Sequence, residues 1–143
     1  MKISRLFHTE GEETLSYYFA KTLTGKSFEA VTARVTDALK EEGFGILTEI
    51  DVRATMKKKL DKDFRDYRIL GACNPPLAHQ ALLTEDKIGT MLPCNVIVQA
   101  TENGGVEVAA VDPAASMQAV DNAGLARIAE TVRDKLKHVI DAL

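Results

Sequence analysis

The sequence predicts an α+β fold of two layers, a largely antiparallel sheet of four to six strands with helices over one face. Three observations carry that expectation. The run from Asn122 places Leu125, Ile128, Val132, Leu136, Val139 and Ile140 at helical spacing, a long amphipathic helix. Two alternating segments, around Val96-Val98-Ala100 and Val106-Val108-Ala110, flank Asn103-Gly104-Gly105, which supplies the positive-φ residues of a hairpin. The order reads as strand, helix, several mostly antiparallel strands and then a long terminal helix, which is an α+β arrangement.

The elements follow in order. Residues 1–13 mix charges with a glycine and show little periodicity, so they are expected to be a tail or lead-in, with residues 14–143 as one domain. Leu15, Tyr17 and Phe19 alternate with Ser16, Tyr18 and Ala20, a strand pattern. Thr24-Gly25-Lys26 turns the chain, and the Ser27 hydroxyl is placed to accept from the free N–H groups of a first helical turn. That helix carries Phe28, Val31, Val35, Ala38 and Leu39 on one stripe and stops at Gly43. Ile46, Leu47 and Ile50 mark a second strand. Residues 52–64 suit a short helix with Val52, Met56 and Leu60 inward. Tyr67, Ile69 and Leu70 form a third strand that runs into Cys73. Asn74-Pro75 then pairs an N-cap with a proline at the first helical position, where its missing N–H is not needed, and opens a helix over about 75–83. Residues 84–93 read as an irregular return containing Gly89 and Pro93. Asp112-Pro113 repeats the cap-plus-proline signal before the last helix.

Composition excludes several classes. Hydrophobic residues make up 45% of the chain and charged ones 27%, ordinary for a globular protein. A net charge of -3 gives no footprint for nucleic acid. Seven basic residues lie between Arg53 and Arg68, but three aspartates accompany them and no aromatic platform is interleaved, so the run reads as a solvated surface. No apolar run approaches the about 20 residues that span a bilayer. The opening MKISRLFHTEGEE lacks the about 7–15 apolar residues of a secretory signal, which makes a cytoplasmic location the expectation, and there a stable disulfide is unusual. The carboxylates Glu49 and Asp51, and Glu85 and Asp86, are close enough in sequence for acid–base work, yet nothing marks them as buried. Walker, dinucleotide-glycine, zinc-protease and Gly-x-Ser-x-Gly motifs are all missing.

The segments "DVRATMKKKLDKDFRDYRILGACNPPLAHQAL" and "IGTMLPCNVIVQ" resemble the family catalogued as domain of unknown function 302. The likeness runs from about Tyr17 to the final helix. Its core is Leu70-Gly71-Ala72-Cys73-Asn74-Pro75 together with Leu92-Pro93-Cys94-Asn95. The resemblance implies a TATA-box-binding-protein-like fold and a homodimer. It implies no activity, because the family is defined without one.

Both cysteines lie in these motifs, and each is followed by asparagine. Cys73 precedes a helix cap, where free N–H groups and the helix dipole favour a thiolate. Twenty residues separate the two, enough for a helix out and an irregular return. If the strand ending at Cys73 neighbours the one starting at Cys94, the sulfurs share one end of the sheet. Three readings stay open: a buried, packed pair of thiols; a pocket for a soft metal or an oxyanion; and a redox-active dithiol, whose spacing departs from Cys-x-x-Cys. Two thiolates leave a tetrahedral metal site incomplete, so His79, water, a ligand or a dimer partner would have to finish it. The candidate ligand-binding residues are therefore Cys73, Asn74, Cys94 and Asn95. Two functional classes follow, a homodimeric ligand-binding or structural module, and a thiol-based redox or metal-dependent protein. Catalytic residues and any cofactor are left undefined by the sequence.

Overall fold

The computed structural model describes residues 16–143. The expected tail, residues 1–13, and Leu15 of the first strand pattern lie outside them. Strand β1 (Tyr18–Leu23) leads through a turn to helix α1 (Phe28–Glu41). The Ser27 side chain accepts from the Ala30 N–H at 3.1 Å, as its hydroxyl predicts. At the other end Gly43 adopts φ +86°, and the Gly43 and Phe44 N–H groups bond back to the Lys40 and Leu39 carbonyls. That is the paired closure which satisfies the last helical carbonyls and which glycine adopts without strain.

Strand β2 (Gly45–Asp51) runs directly into α2 (Val52–Leu60), capped by the Asp51 carboxylate on the Ala54 N–H at 2.9 Å. Here one expectation fails. Val52 and Met56 are half-buried, but Leu60 is 61% exposed, because none of the described residues covers the last turn of α2. Strand β3 (Tyr67–Cys73), helix α3 (Pro75–Thr84), a 3-10 turn (Ile88–Met91), β4 (Cys94–Ala100) and β5 (Val106–Val111) follow. The short α4 (Pro113–Ser116), capped by Asp112, precedes the long α5 (Ala123–Asp141), capped by Asn122.

The five strands form one antiparallel sheet in the order β1-β5-β4-β3-β2. Register decides the faces. Arg68, Leu70 and Ala72 of β3 sit opposite Val98, Val96 and Cys94 of β4, and Val96 and Val98 sit opposite Ala110 and Val108 of β5. All but Arg68 are buried, forming one core with Val31, Val35 and Leu39 of α1 and Leu136, Val139 and Ile140 of α5. Each fully buried Val or Leu contributes about 1.5–3 kcal/mol, so this inner face holds the two long helices in place. Arg68, at its margin, clasps Glu29 in the first turn of α1 through two bonds of 3.0 and 2.8 Å and reaches Glu49 at 3.4 Å. The alternate residues, among them Tyr18, Ile50, Ile69, Ile97, Ala109 and Val111, form the opposite face, and none of these is buried. No helix among the described residues is long and apolar enough to cross a membrane.

Candidate functional site

The antiparallel pairing of β3 with β4 brings the two cysteine motifs together. Ala72 lies opposite Cys94, so Cys73 is one residue from the cross-strand partner. Strand geometry alone places the two cysteine Cα atoms about 6 Å apart. Both are free thiols, Cys73 half-buried and Cys94 buried. Pleating would send neighbouring side chains to opposite faces, yet β3 ends at Cys73, and both cysteines line the same cavity.

That cavity has a volume of about 340 Å³ and lies between the Cys73/Cys94 end of the sheet, α3 and α5. Its inner wall is made of residues with almost no exposure, among them Ala72, Ala81, Leu125 and Ala129. Leu47 and Leu82, at 66% and 44% exposure, mark the mouth. Leu47 owes its outward position to a register shift between Ile46 and Thr48 where β2 meets β3. Among the described residues, apart from the thiols, Asn74 contributes the only polar side chain, and no charged side chain lines the space. A second cavity of about 230 Å³ shares Pro93, Cys94, Pro113 and Met117 with the first and adds Asn95 and Ser116.

The sequence treats Cys73-Asn74 and Cys94-Asn95 as a rhyme, and the structure separates them. Asn74 is spent on architecture: its Oδ1 accepts from the Leu77 N–H and its Nδ2 donates to the Glu42 carbonyl, each at 3.3 Å, tying α3 to the end of α1. Asn95 is exposed, lines only the second cavity, and makes no side-chain hydrogen bond to the described residues. Burial, reinforced by the nearby Cys73, pushes the Cys94 thiol up to about 11 from its ordinary 9.0. In an apolar wall the neutral S–H is the favoured form, which makes Cys94 a poor nucleophile at neutral pH.

His79 is exposed on α3 and lines neither cavity. Among the described residues no group of three or more His, Cys, Asp or Glu is arranged to hold a metal ion. The paired carboxylates have structural partners. Asp51 caps α2, Glu49 faces Arg68, and Glu85 accepts from Asn122 at 3.2 Å. The basic run is partly neutralised in place by Arg53–Asp66 at 3.0 Å and Lys57–Asp61 at 2.9 Å. Sequence reasoning missed the cavity's helical wall, Ala78, Ala81, Leu125, Ile128 and Ala129. Its one available signal was small residues, Ala81 and Ala129, at helix positions that turn out to be buried.

A family model, Domain of unknown function DUF302, matches residues 19–143. A solved structure, that of an uncharacterized conserved DUF302 protein from Bacillus stearothermophilus, superposes with a TM-score of 0.80 at 26% identity, covering 87% of this chain and 96% of the other. No curated protein matches this chain.

Proposed function

Because the chain belongs to the DUF302 family, whose name carries no activity, we propose from its own geometry that it is a non-catalytic module holding a small, uncharged, apolar ligand at the cysteine motifs, and that it works as a homodimer. The observation that carries this reading is the cavity of about 340 Å³ with apolar walls and no charged side chain. Ligand sites occupy about 300–1,000 Å³ and are mostly apolar with few polar groups. An ionic ligand would lose its hydration there without a counter-charge. An apolar cavity of about 150 Å³ takes one benzene, so this one suits a ligand of about a dozen heavy atoms.

The dimer rests on the sheet face opposite α1 and α5, where Ile50, Ile69, Ile97 and Val111 remain unburied beside Ala20 and Ala109. The free thiols fit a reducing, cytoplasmic setting. The single sheet, with both buried clusters packed beside it, supports residues 14–143 as one domain. The second reading, a thiol-based redox or metal-dependent protein, draws on the one cavity shared by Cys73 and Cys94, but the neutral Cys94 thiol weakens it.

Titration with the fluorescent, uncharged 1-aminonaphthalene tests the site. Saturable one-to-one binding is expected. At a hundredfold excess over Kd it should stabilise the fold by about 2.7 kcal/mol. Ala81→Phe, which fills the inner wall, should abolish the binding. A wild-type protein that fails to saturate, or an Ala81→Phe variant that binds as well, overturns the proposal. Light scattering tests assembly: about twice the 15.6 kDa chain mass is expected, and a mass of one chain at micromolar concentration removes the dimer.

A further inference from the structure

Resting on the ligand-binding reading above, we propose that the two cavities are the two ends of one channel gated by the Met117 side chain. Its ligand would be an extended aliphatic chain ending in an uncharged hydrogen-bonding head, a medium-chain alcohol or primary amide. Four residues, Pro93, Cys94, Pro113 and Met117, line both spaces and so form the partition between them. Two of these are proline rings and one is a short thiol fixed in β4. Met117 alone is long and unbranched, with three rotatable side-chain bonds, and it is the residue best able to swing aside. It caps the C-terminus of α4, where its N–H bonds to the Pro113 carbonyl at 3.0 Å, so the backbone stays anchored while the side chain turns.

The two ends differ in chemistry. The larger, about 340 Å³, is walled by alanine, leucine and isoleucine and suits the hydrocarbon. The smaller, about 230 Å³, has the Asn95 amide and the Ser116 hydroxyl at its wall. Asn95 can bond a hydroxyl or an amide as donor or acceptor, while the Ser116 hydroxyl donates to the Pro113 carbonyl at 3.4 Å and keeps its capacity to accept. Among the described residues neither space is lined by a lysine, arginine or histidine, so a carboxylate head would find no counter-charge at either end. The geometry therefore favours a neutral head over the acid of the same length.

Displacement of 1-aminonaphthalene by a series of 1-alkanols, with dodecanoate for comparison, tests the channel. Affinity should rise about fourfold for each added methylene up to dodecanol, the gain expected of a buried CH₂. Dodecanoate should bind at least tenfold more weakly than dodecanol. Met117→Ile keeps the bulk but stiffens the side chain, and it should lower the ratio of dodecanol to 1-aminonaphthalene affinity at least tenfold. The double variant Asn95→Leu/Ser116→Ala should lower the same ratio about three- to tenfold, the loss of one or two neutral hydrogen bonds. The channel is overturned if dodecanoate matches dodecanol, if affinity stops rising by hexanol, or if neither variant moves the ratio. A wild-type protein that does not bind 1-aminonaphthalene at all would instead overturn the ligand-binding reading, and the channel with it.

Discussion

The two family motifs approach closely at Gly71, and replacing it with alanine measures how tightly they are locked. A Cβ there would come within 2.7 Å of Pro93 Cγ and would also run into the Thr48 hydroxyl. The Thr48 side chain is exposed but β-branched and stiff about its first torsion, so that clash is not relieved cheaply. Nor can the Pro93 ring rotate away. Overpacking of this kind costs about 1–3 kcal/mol, while trading glycine for alanine in a compatible backbone returns about 0.4–1 kcal/mol through the unfolded chain. The net expectation for Gly71→Ala is a loss of roughly 1–2 kcal/mol, which in a chain of this size lowers Tm by roughly 2–8 °C. Calorimetry, with urea unfolding to confirm an unchanged m-value, reads it directly. In a double-mutant cycle Pro93→Ala and Thr48→Ala should each recover a measurable part of the loss. A Gly71→Ala protein as stable as wild type would refute the claim that Pro93 is pressed against β3. It would also remove the reason for treating the two motifs as one unit.

Three further outcomes are expected. The folded Cys94 thiol titrates at about 11 and the unfolded one at its ordinary 9.0, so below pH 9 both states stay protonated and the group leaves stability unchanged. Between pH 9 and 11 the unfolded chain ionises first, and about 2–3 kcal/mol of stability should be lost that a Cys94→Ala protein does not lose, as urea titrations of the pair would show. Asn74→Ala removes both the cap on α3 and the bond to the Glu42 carbonyl, and should cost about 1–2 kcal/mol in urea unfolding. Asn74→Asp, which keeps the cap and drops the donor, should recover about half of that. Arg68→Ala should cost about 1–2 kcal/mol, measured as a drop in Tm that shrinks in high salt, because its two bonds to Glu29 join α1 to β3 near solvent.

The fold was legible in the sequence wherever a local rule had no competitor. Ser27, Gly43, Asn74-Pro75 and Asp112-Pro113 each fix a helix end through their own backbone or side chain, and all four act as expected. The α5 stripe and the β4–β5 hairpin were equally plain, although of Asn103-Gly104-Gly105 only Gly104 adopts a positive φ, +77°. Leu60 was misread because an apolar residue at helical spacing says nothing about whether another layer lies above it. Proximity of the cysteines was foreseeable from the length of the excursion between them. The cap role of Asn74 was foreseeable too, but its second bond, to the Glu42 carbonyl, and the exposure of Asn95 depend on how distant elements pack. The cavity was invisible for a similar reason. Leu125 and Ile128 look the same in sequence whether they pack against a neighbour or face a void.

The small residues around that void carry the last step. Ala81, 5% exposed, is the buried position of α3, and Ala129, 4% exposed, lies on α5 among the buried Leu125, Val132 and Leu136. A chain selected only for packing would gain from a larger side chain at either site, since cavity-filling substitutions commonly add about 0.5–2 kcal/mol. Ala129→Leu is therefore expected to raise Tm by roughly 2–6 °C and at the same time to weaken 1-aminonaphthalene binding at least tenfold. The two readouts must move in opposite directions, because the same volume serves one and obstructs the other. If Ala129→Leu destabilised the protein and left binding intact, the alanines would be there to let α5 approach its neighbours, and the space beside them would be a by-product of packing.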